Sequence, residues 1–203
     1  AALGNATTCT FDANGNKLTE TNALNQTTSF AYDALNQLIS QTDPMNHVTT
    51  FAFDAVGNQT SITDANGKVT SSAYNLRNLR ITETNAAGGV TTFGYDAVGN
   101  KTTVTDAKNA TWTYAYDWAN REKSMTQPDN TIEKKAYDVV ANLFAKQKPD
   151  GNIIRYEYDA LNRLLKNDYP TGTDTTFAYD ALGRRTQMAD STGTSTYVYD
   201  ALG

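Results

Sequence analysis

An aromatic residue followed by Asp returns along this chain with a nearly fixed period. The pairs are Phe11-Asp12, Tyr32-Asp33, Phe53-Asp54, Tyr95-Asp96, Tyr116-Asp117, Tyr137-Asp138, Tyr158-Asp159, Tyr179-Asp180 and Tyr199-Asp200, with Tyr74-Asn75 in register between the third and fourth. Successive spacings are 21 residues eight times and then 20. A period of this length marks a repeat architecture, in which each unit is one supersecondary element. The boundaries it sets are a partial unit at 1–10, nine units over 11–198 and a partial unit at 199–203, all within one array spanning 1–203. Both ends fall mid-unit without atypical capping units, so the chain reads as an excerpt of a longer array.

With the aromatic residue as position one, position five is Gly15, Asn36, Gly57, Asn78, Gly99, Asn120, Ala141, Asn162, Gly183 and Gly203. Position fifteen is Asn25, Asn46, Gly67, Gly88, Asn109, Asn130, Gly151, Gly172 and Gly193. Gly and Asn accept positive φ at little cost, so each unit is expected to hold two turns ten residues apart. Between the turns lie segments such as Val69 to Tyr74 and Val90 to Tyr95, rich in Thr, Val, Ile, Tyr and Phe, which favour strands. Pro44, Pro128, Pro149 and Pro170 all fall at position thirteen, inside the second turn, where a continuous sheet tolerates them. No apolar 3.6-residue period is long enough for a helix. The fold class expected is all-β: an antiparallel hairpin meander with two strands per unit, forming a curved or spiralling β-strip.

Side chains alternate between the faces of a strand, so positions eighteen, twenty and one share a face. Position twenty contributes Phe30, Phe51, Phe93, Tyr114, Tyr156, Phe177 and Tyr197, beside Tyr32, Tyr95, Tyr116, Tyr158 and Tyr179 at position one. These aromatic columns would hold the sheet through cross-strand pairs of roughly 0.2–1 kcal/mol each. The opposite face reads as Thr, Ser, Val and Ala. Asp33, Asp96, Asp117, Asp159 and Asp180 read as turn caps accepting backbone N–H groups. A row of calcium ligands and a sugar-binding aromatic platform are the alternatives, and calcium rolls use a Gly-rich nonapeptide that this period lacks.

Composition narrows the function classes. A net charge of −5 over 203 residues disfavours nucleic acid as a partner. The 39% hydrophobic content is low for a globule, although 10% aromatics and only 19% charged residues argue against a disordered tail. No segment reaches the ~20 apolar residues of a membrane span. The single cysteine, Cys9, sits at position twenty and reads as a small buried replacement for an aromatic ring. The single histidine, His47, reads as an exposed bystander beside a turn. Acidic residues lie at repeated turn positions, so no acid/base couple stands out. Lys134, Lys135, Lys146, Lys148, Arg155 and Arg163 gather in the second half and read as a solvated face, with a polyanionic glycan contact as the alternative. The Asn-x-Thr triplets at Asn5, Asn25, Asn58, Asn100 and Asn109 read as by-products of the repeat. No catalytic, cofactor-binding or metal-binding residue is assigned, no cofactor is expected, and the chain is not read as an enzyme.

The phrases YDALN, FDAVGN, YDAVGN, YDALGR and YDALG, with the DANG turn at Asp64 to Gly67, resemble the YD repeats of the Rhs family along the whole chain. That family includes bacterial Rhs and wall-associated polymorphic toxins, Tc-toxin shell subunits and teneurins. The resemblance implies a secreted or cell-surface bacterial protein in which a β-strip spirals into a hollow shell enclosing or presenting a toxin. The family's terminal cleavage core carries DPxG motifs. The nearest match, Asp43-Pro44-Met45-Asn46, lacks the glycine and lies in an ordinary turn, so no catalytic role is carried over. Nineteen or so strands at ~4.8 Å spacing would make a strip about 90 Å long, whose open edges need neighbours. The partners expected are further repeats of the same parent chain or neighbouring copies, and an enclosed toxin domain. Two other readings stay open: a glycan-binding adhesion module engaging surface glycans, and a subunit of an open extracellular fibre.

Overall fold

A computed structural model describes residues 7–200. Residues 1–6 and 201–203, with Asn5 and Gly203 among them, lie outside that range. Nineteen strands and no helix occur among the described residues. The first nine are β1 (Thr8–Phe11), β2 (Lys17–Thr21), β3 (Thr27–Tyr32), β4 (Leu38–Thr42), β5 (Val48–Phe53), β6 (Gln59–Thr63), β7 (Val69–Tyr74), β8 (Arg80–Thr84) and β9 (Val90–Tyr95). There follow β10 (Lys101–Thr105), β11 (Thr111–Tyr116), β12 (Glu122–Thr126), β13 (Ile132–Tyr137), β14 (Leu143–Gln147) and β15 (Ile153–Tyr158). The last are β16 (Leu164–Asp168), β17 (Thr175–Tyr179), β18 (Arg185–Asp190) and β19 (Gly193–Thr196).

The chain divides into two compact units. The first holds residues up to Gly94 with Val104–Ala110, the second Tyr95–Thr103 with the residues from Thr111 onward. In the first, β1 to β9 each pair antiparallel with the next strand in sequence. In the second, β11 to β19 do the same. The all-β hairpin meander expected from the repeat is therefore the fold.

Through the first unit both turns of each repeat are built alike, and in the second unit the turns at Gln127 and Lys148 keep the backbone bonds but take their caps from Asp129 and Asp150. At Asp33, the backbone N–H donates to Gln37 C=O at 3.0 Å, and Asn36 N–H donates to Asp33 C=O at 3.1 Å. Asp33 Oδ1 accepts from Leu35 N–H at 2.8 Å and Gln37 N–H at 2.9 Å. Eleven residues earlier, Asn22 closes the second turn of the preceding unit with the same four bonds, at 3.0, 3.0, 2.9 and 3.0 Å. Positive φ occurs at eighteen residues, and these are positions five and fifteen throughout, with Ala141 at 73° in a slot otherwise held by Gly or Asn.

If both turns are the same, an odd period needs an odd residue. Eight hairpins closed by the aromatic-Asp turn supply it as a β-bulge. In β3–β4, Ala31 pairs with Ser40 but Tyr32 with Leu38, which leaves Ile39 unopposed. The corresponding residues in the other seven hairpins are Leu18, Thr60, Ile81, Lys123, Phe144, Leu165 and Thr186. Hairpins closed by the other turn carry no such shift where their register is described. A bulge bends its strand and sharpens the local twist, so the bending sits at one kind of turn only.

A single layer leaves little to bury: among the described residues only Ile154 and Thr175 are buried, and each keeps 8% of its surface exposed. Along β3 and β5 burial alternates residue by residue, with Thr28, Phe30 and Tyr32 half-buried and their neighbours exposed. Cys9 corrects its sequence expectation. It is exposed rather than buried, because β1 pairs only with β2 among the described residues and its other edge is open.

Candidate functional site

The structure offers two faces and a row of turn tips, and function must be sought there. On the aromatic face, Phe30 lies opposite Gln41 and Phe51 opposite Ile62. Phenol groups at position one do more than pack. Tyr74, Tyr116, Tyr137, Tyr158 and Tyr179 each donate to the carbonyl fifteen residues earlier, on Gln59, Lys101, Glu122, Leu143 and Leu164, at 2.9–3.1 Å. Each such carbonyl belongs to the residue just after the preceding unit's aromatic-Asp turn, and those on Gln59, Glu122, Leu143 and Leu164 lie on bulged strands. A bulge disrupts the local ladder, and the phenol brings a donor to that place.

Turn tips are linked to one another. Asn16 donates to its own Asp12 at 2.8 Å and to Asn36 Oδ1 of the next tip at 2.7 Å. Asn58 does the same with Asp54 and Asn78, Asn100 with Asp96 and Asn120, and Asn142 with Asp138 and Asn162. Tips therefore alternate between Gly-Asn or Ala-Asn donors and Asn acceptors, a 42-residue period laid over the 21-residue one. In the second unit, Arg121 and Arg163 fill the intervening steps. Each bonds its own turn aspartate at 2.7 Å, donates to the next aspartate's backbone carbonyl at 3.2 and 3.1 Å, and stacks on the next tyrosine ring. Asp12, Asp54 and Asp180 are held below the ordinary carboxylate range, first by side-chain donors Asn16, Asn58 and Arg184. Asp159 is lowered first by the Arg163 backbone N–H and then by its guanidinium. Outermost on these turns stand aliphatic side chains at position four, including Leu35, Val56, Leu161 and Leu182, each about 70–80% exposed.

The basic residues of the second half are not simply a solvated face. Lys135 occupies a position-twenty slot that aromatic rings hold elsewhere, and bonds Glu122 at 2.8 Å. Lys146 bonds Glu133 at 2.9 Å, and Lys135 lies 3.8 Å from the same carboxylate. Arg163 is absorbed into the tips. Lys134, Lys148 and Arg155 have no ion-pair partner among the described residues, so the expectation holds for them alone. His47 Nδ1 lies 2.9 Å from Asp43 Oδ2. No group of three or more His, Cys, Asp or Glu converges to hold a metal among the described residues. Among the described residues no helix is long and apolar enough to cross a membrane.

Overlapping matches to the RHS Repeat model cover 11–44, 32–69, 53–90, 74–111 and 95–132, together more than half of the chain. The chain belongs to the RHS-repeat family. No curated protein matches it significantly. Among solved structures, TcdB2-TccC3-TEV is similar over 97% of this chain with a TM-score of 0.74 and 18% identity. TcdB2-TccC3 without its hypervariable C-terminal region gives 0.76 and 16% over 98%. A Photorhabdus luminescens Tc holotoxin pore carrying a substituted TccC3 gives 0.60 and 17% over 94%. At such identities the likeness establishes the fold. The chain spans only 12–14% of the length of these structures.

Proposed function

We propose that this RHS-repeat chain is a structural wall segment of a secreted or cell-surface bacterial protein whose repeats surround a toxin or effector polypeptide. One observation carries the reading: the meander, without helix or domain insertion among its described residues, follows the fold of TcdB2-TccC3 structures over 97% of its length. The residue chemistry supports the same role. The aspartates of the aromatic-Asp pairs close turns and most position-one tyrosines donate to strand carbonyls, which fits a scaffold role. The partners proposed are further repeats, continuing the sheet at edges that otherwise stay open, and the enclosed polypeptide. The name of one similar structure speaks of a hypervariable C-terminal region, and the passenger proposed here would be a region of that kind.

Limited proteolysis of the intact parent protein tests this. An enclosed polypeptide is expected to survive protease concentrations that digest it as an isolated chain. Equal digestion rates in the two forms would overturn the encapsulation reading.

A further inference from the structure

On the face opposite the aromatic rings, the two units differ in kind. Rows across the first unit run Ala31–Ser40–Thr50–Thr63–Val69 and Ala52–Ser61–Ser71–Thr84–Val90, uncharged throughout. The matching row in the second unit runs Ala115–Ser124–Lys134–Gln147–Ile153, and the next starts Ala136–Ala145–Arg155. Here the hydroxyl lattice gives way to a groove of about 510 Å³. Ile132, Ile153, Ala136 and Ala145 form its floor, Lys123 and Lys134 line its sides, and Lys135, already paired with Glu122, also contributes to the lining. Arg155, directly opposite Ala145, adjoins it.

Charge on this patch is one-sided. No acidic residue lines the groove. Lys123, Lys134 and Arg155 have no ion-pair partner among the described residues. Two acids share the face beside Arg155: Asp168, directly opposite it, is bonded to Lys166 at 2.9 Å, and Glu157 stands two residues along β15, opposite Lys166 and outside the groove lining. Lys166 is held above its usual value, first by Asp174 and then by Asp168, so that pair stays charged and closed. Three unneutralised cations around an aliphatic floor attract a ligand that is both anionic and apolar.

We propose that this groove binds an extended polypeptide segment in which acidic side chains alternate with aliphatic ones. Strand spacing supports an extended chain. The groove runs from β12 to β15, three spacings of ~4.8 Å or about 14 Å, which an extended segment covers in roughly four residues. Because β12 to β15 are each paired on both sides, no sheet edge is open to a visiting strand. Recognition is by side chains: aliphatic groups on Ile132 and Ile153, carboxylates on Lys123, Lys134 and Arg155. This inference goes beyond the wall-segment reading, since the groove binds such a segment whether or not the parent encloses one.

Titration of the purified chain with a fluorescein-labelled Glu-Leu-Glu-Leu-Glu peptide, read by anisotropy, tests it. Saturable binding is expected, weakened at least fivefold in 1 M NaCl and at least tenfold by Lys134→Glu. A Lys-Leu-Lys-Leu-Lys peptide is expected not to bind. Lys134→Gln, conservative at an exposed position, is expected to weaken binding by about threefold, and thermal unfolding of both variants checks that they remain folded. Equal binding of the two peptides, or undiminished binding by folded Lys134 variants, overturns the proposal. Saturable binding of decanoate without binding of the acidic peptide overturns it too, and assigns the groove to a small amphiphile. These readouts leave protease protection of a passenger untouched, so the two readings fail separately.

Discussion

The two units of this chain solve the same problem with different chemistry. Each must hold a single β-layer together without a thick core. The first does so mainly with hydroxyls, amides and rings, beside two ion pairs, Lys17–Glu20 and Arg80–Glu83, whose cations stack on Phe30 and Phe93. Thr10 bonds Thr19 at 2.6 Å, Thr21 bonds Thr27 at 2.8 Å, and its tip links Asn16–Asn36 and Asn58–Asn78 skip every other step. Gln37 and Leu79, which sit at the skipped steps, make no such link. The second unit relies more on charge. Arg121 and Arg163 fill the steps between the amide links, and Lys135 with Glu133, Glu122 and Lys146 stands where aromatic side chains stand elsewhere. One backbone repeat thus accepts either chemistry, because the turns and bulges are fixed by Asx caps and positive-φ residues that both units share. The difference makes the second unit the more sensitive to acid and salt.

Acid should separate the units most. Three caps of the first unit, Asn22, Asn75 and Asn85, cannot titrate, and each accepts its two turn N–H groups as the aspartates do. The side-chain caps of the second unit are all aspartates, among them Asp117, Asp138, Asp159 and Asp180. A carboxyl lowered in the folded state binds fewer protons than it does unfolded. Its stabilisation is therefore full above the unfolded value near 3.8 and fades as pH falls through the lower folded value. Hydrogen exchange at successively lower pH below 4 should show protection disappearing from β11–β19 before β2–β9. Simultaneous loss in both units would break the comparison.

Next in size is the ion cluster. Glu133→Gln removes the carboxylate that serves Lys146 and Lys135, and is expected to cost about 1–2 kcal/mol, discounted because these side chains are partly exposed. A thermal midpoint unchanged within error would show that the cluster merely fills an aromatic slot. Smaller is Ala141→Gly. Ala141 holds φ at 73°, where an L side chain costs roughly 1–2 kcal/mol. After the greater unfolded-state freedom of Gly, about 1 kcal/mol of stabilisation should remain in urea titrations. A destabilised variant would mean that the Ala141 methyl is needed at its tip.

Sequence made the turns, faces and strand number legible because each rests on a residue type with a local backbone preference. Gly and Asn at positions five and fifteen announce positive φ, and the aromatic-Asp pair announces a cap. The bulge was legible only by parity: two identical turns and equal strands give an even period, and 21 is odd. Nothing in Ile39 or Leu18 as residue types marks the extra position. The groove was less legible still. Lys134 and Lys135 are neighbours in sequence and both line the groove, yet Lys135 is paired with Glu122 while Lys134 is not, and nothing in the sequence separates their fates. Lys123, which completes the rim, stands at the bulge position and carries no sequence signal for it. The alternation of tip donors was visible in Gly15, Asn36, Gly57 and Asn78, but its meaning depends on Asn16 Nδ2 reaching Asn36 across a 20-residue separation.

The smallest predicted effect sharpens the comparison furthest, because it converts one chemistry into the other. Gln37 follows Asn36 at a skipped tip, with Asp33 four residues before it and Phe53 opening the next unit. Arg121 has the same surroundings: Asp117 four residues before it and Tyr137 opening the next unit. Gln37→Arg should therefore acquire all three of Arg121's contacts, a bond to Asp33, a bond to the Asp54 carbonyl and a ring to stack on. Exposed charge pairs and cation–π contacts of this kind are worth about 0.5–1 kcal/mol together after the cost of ordering a long side chain. The gain should appear as a raised urea midpoint in low salt, and should shrink in 1 M NaCl. The reciprocal Arg121→Gln should lose about as much. If Gln37→Arg gains nothing while Arg121→Gln still loses stability, the units differ in backbone placement of their tips and not only in the side chains set upon them.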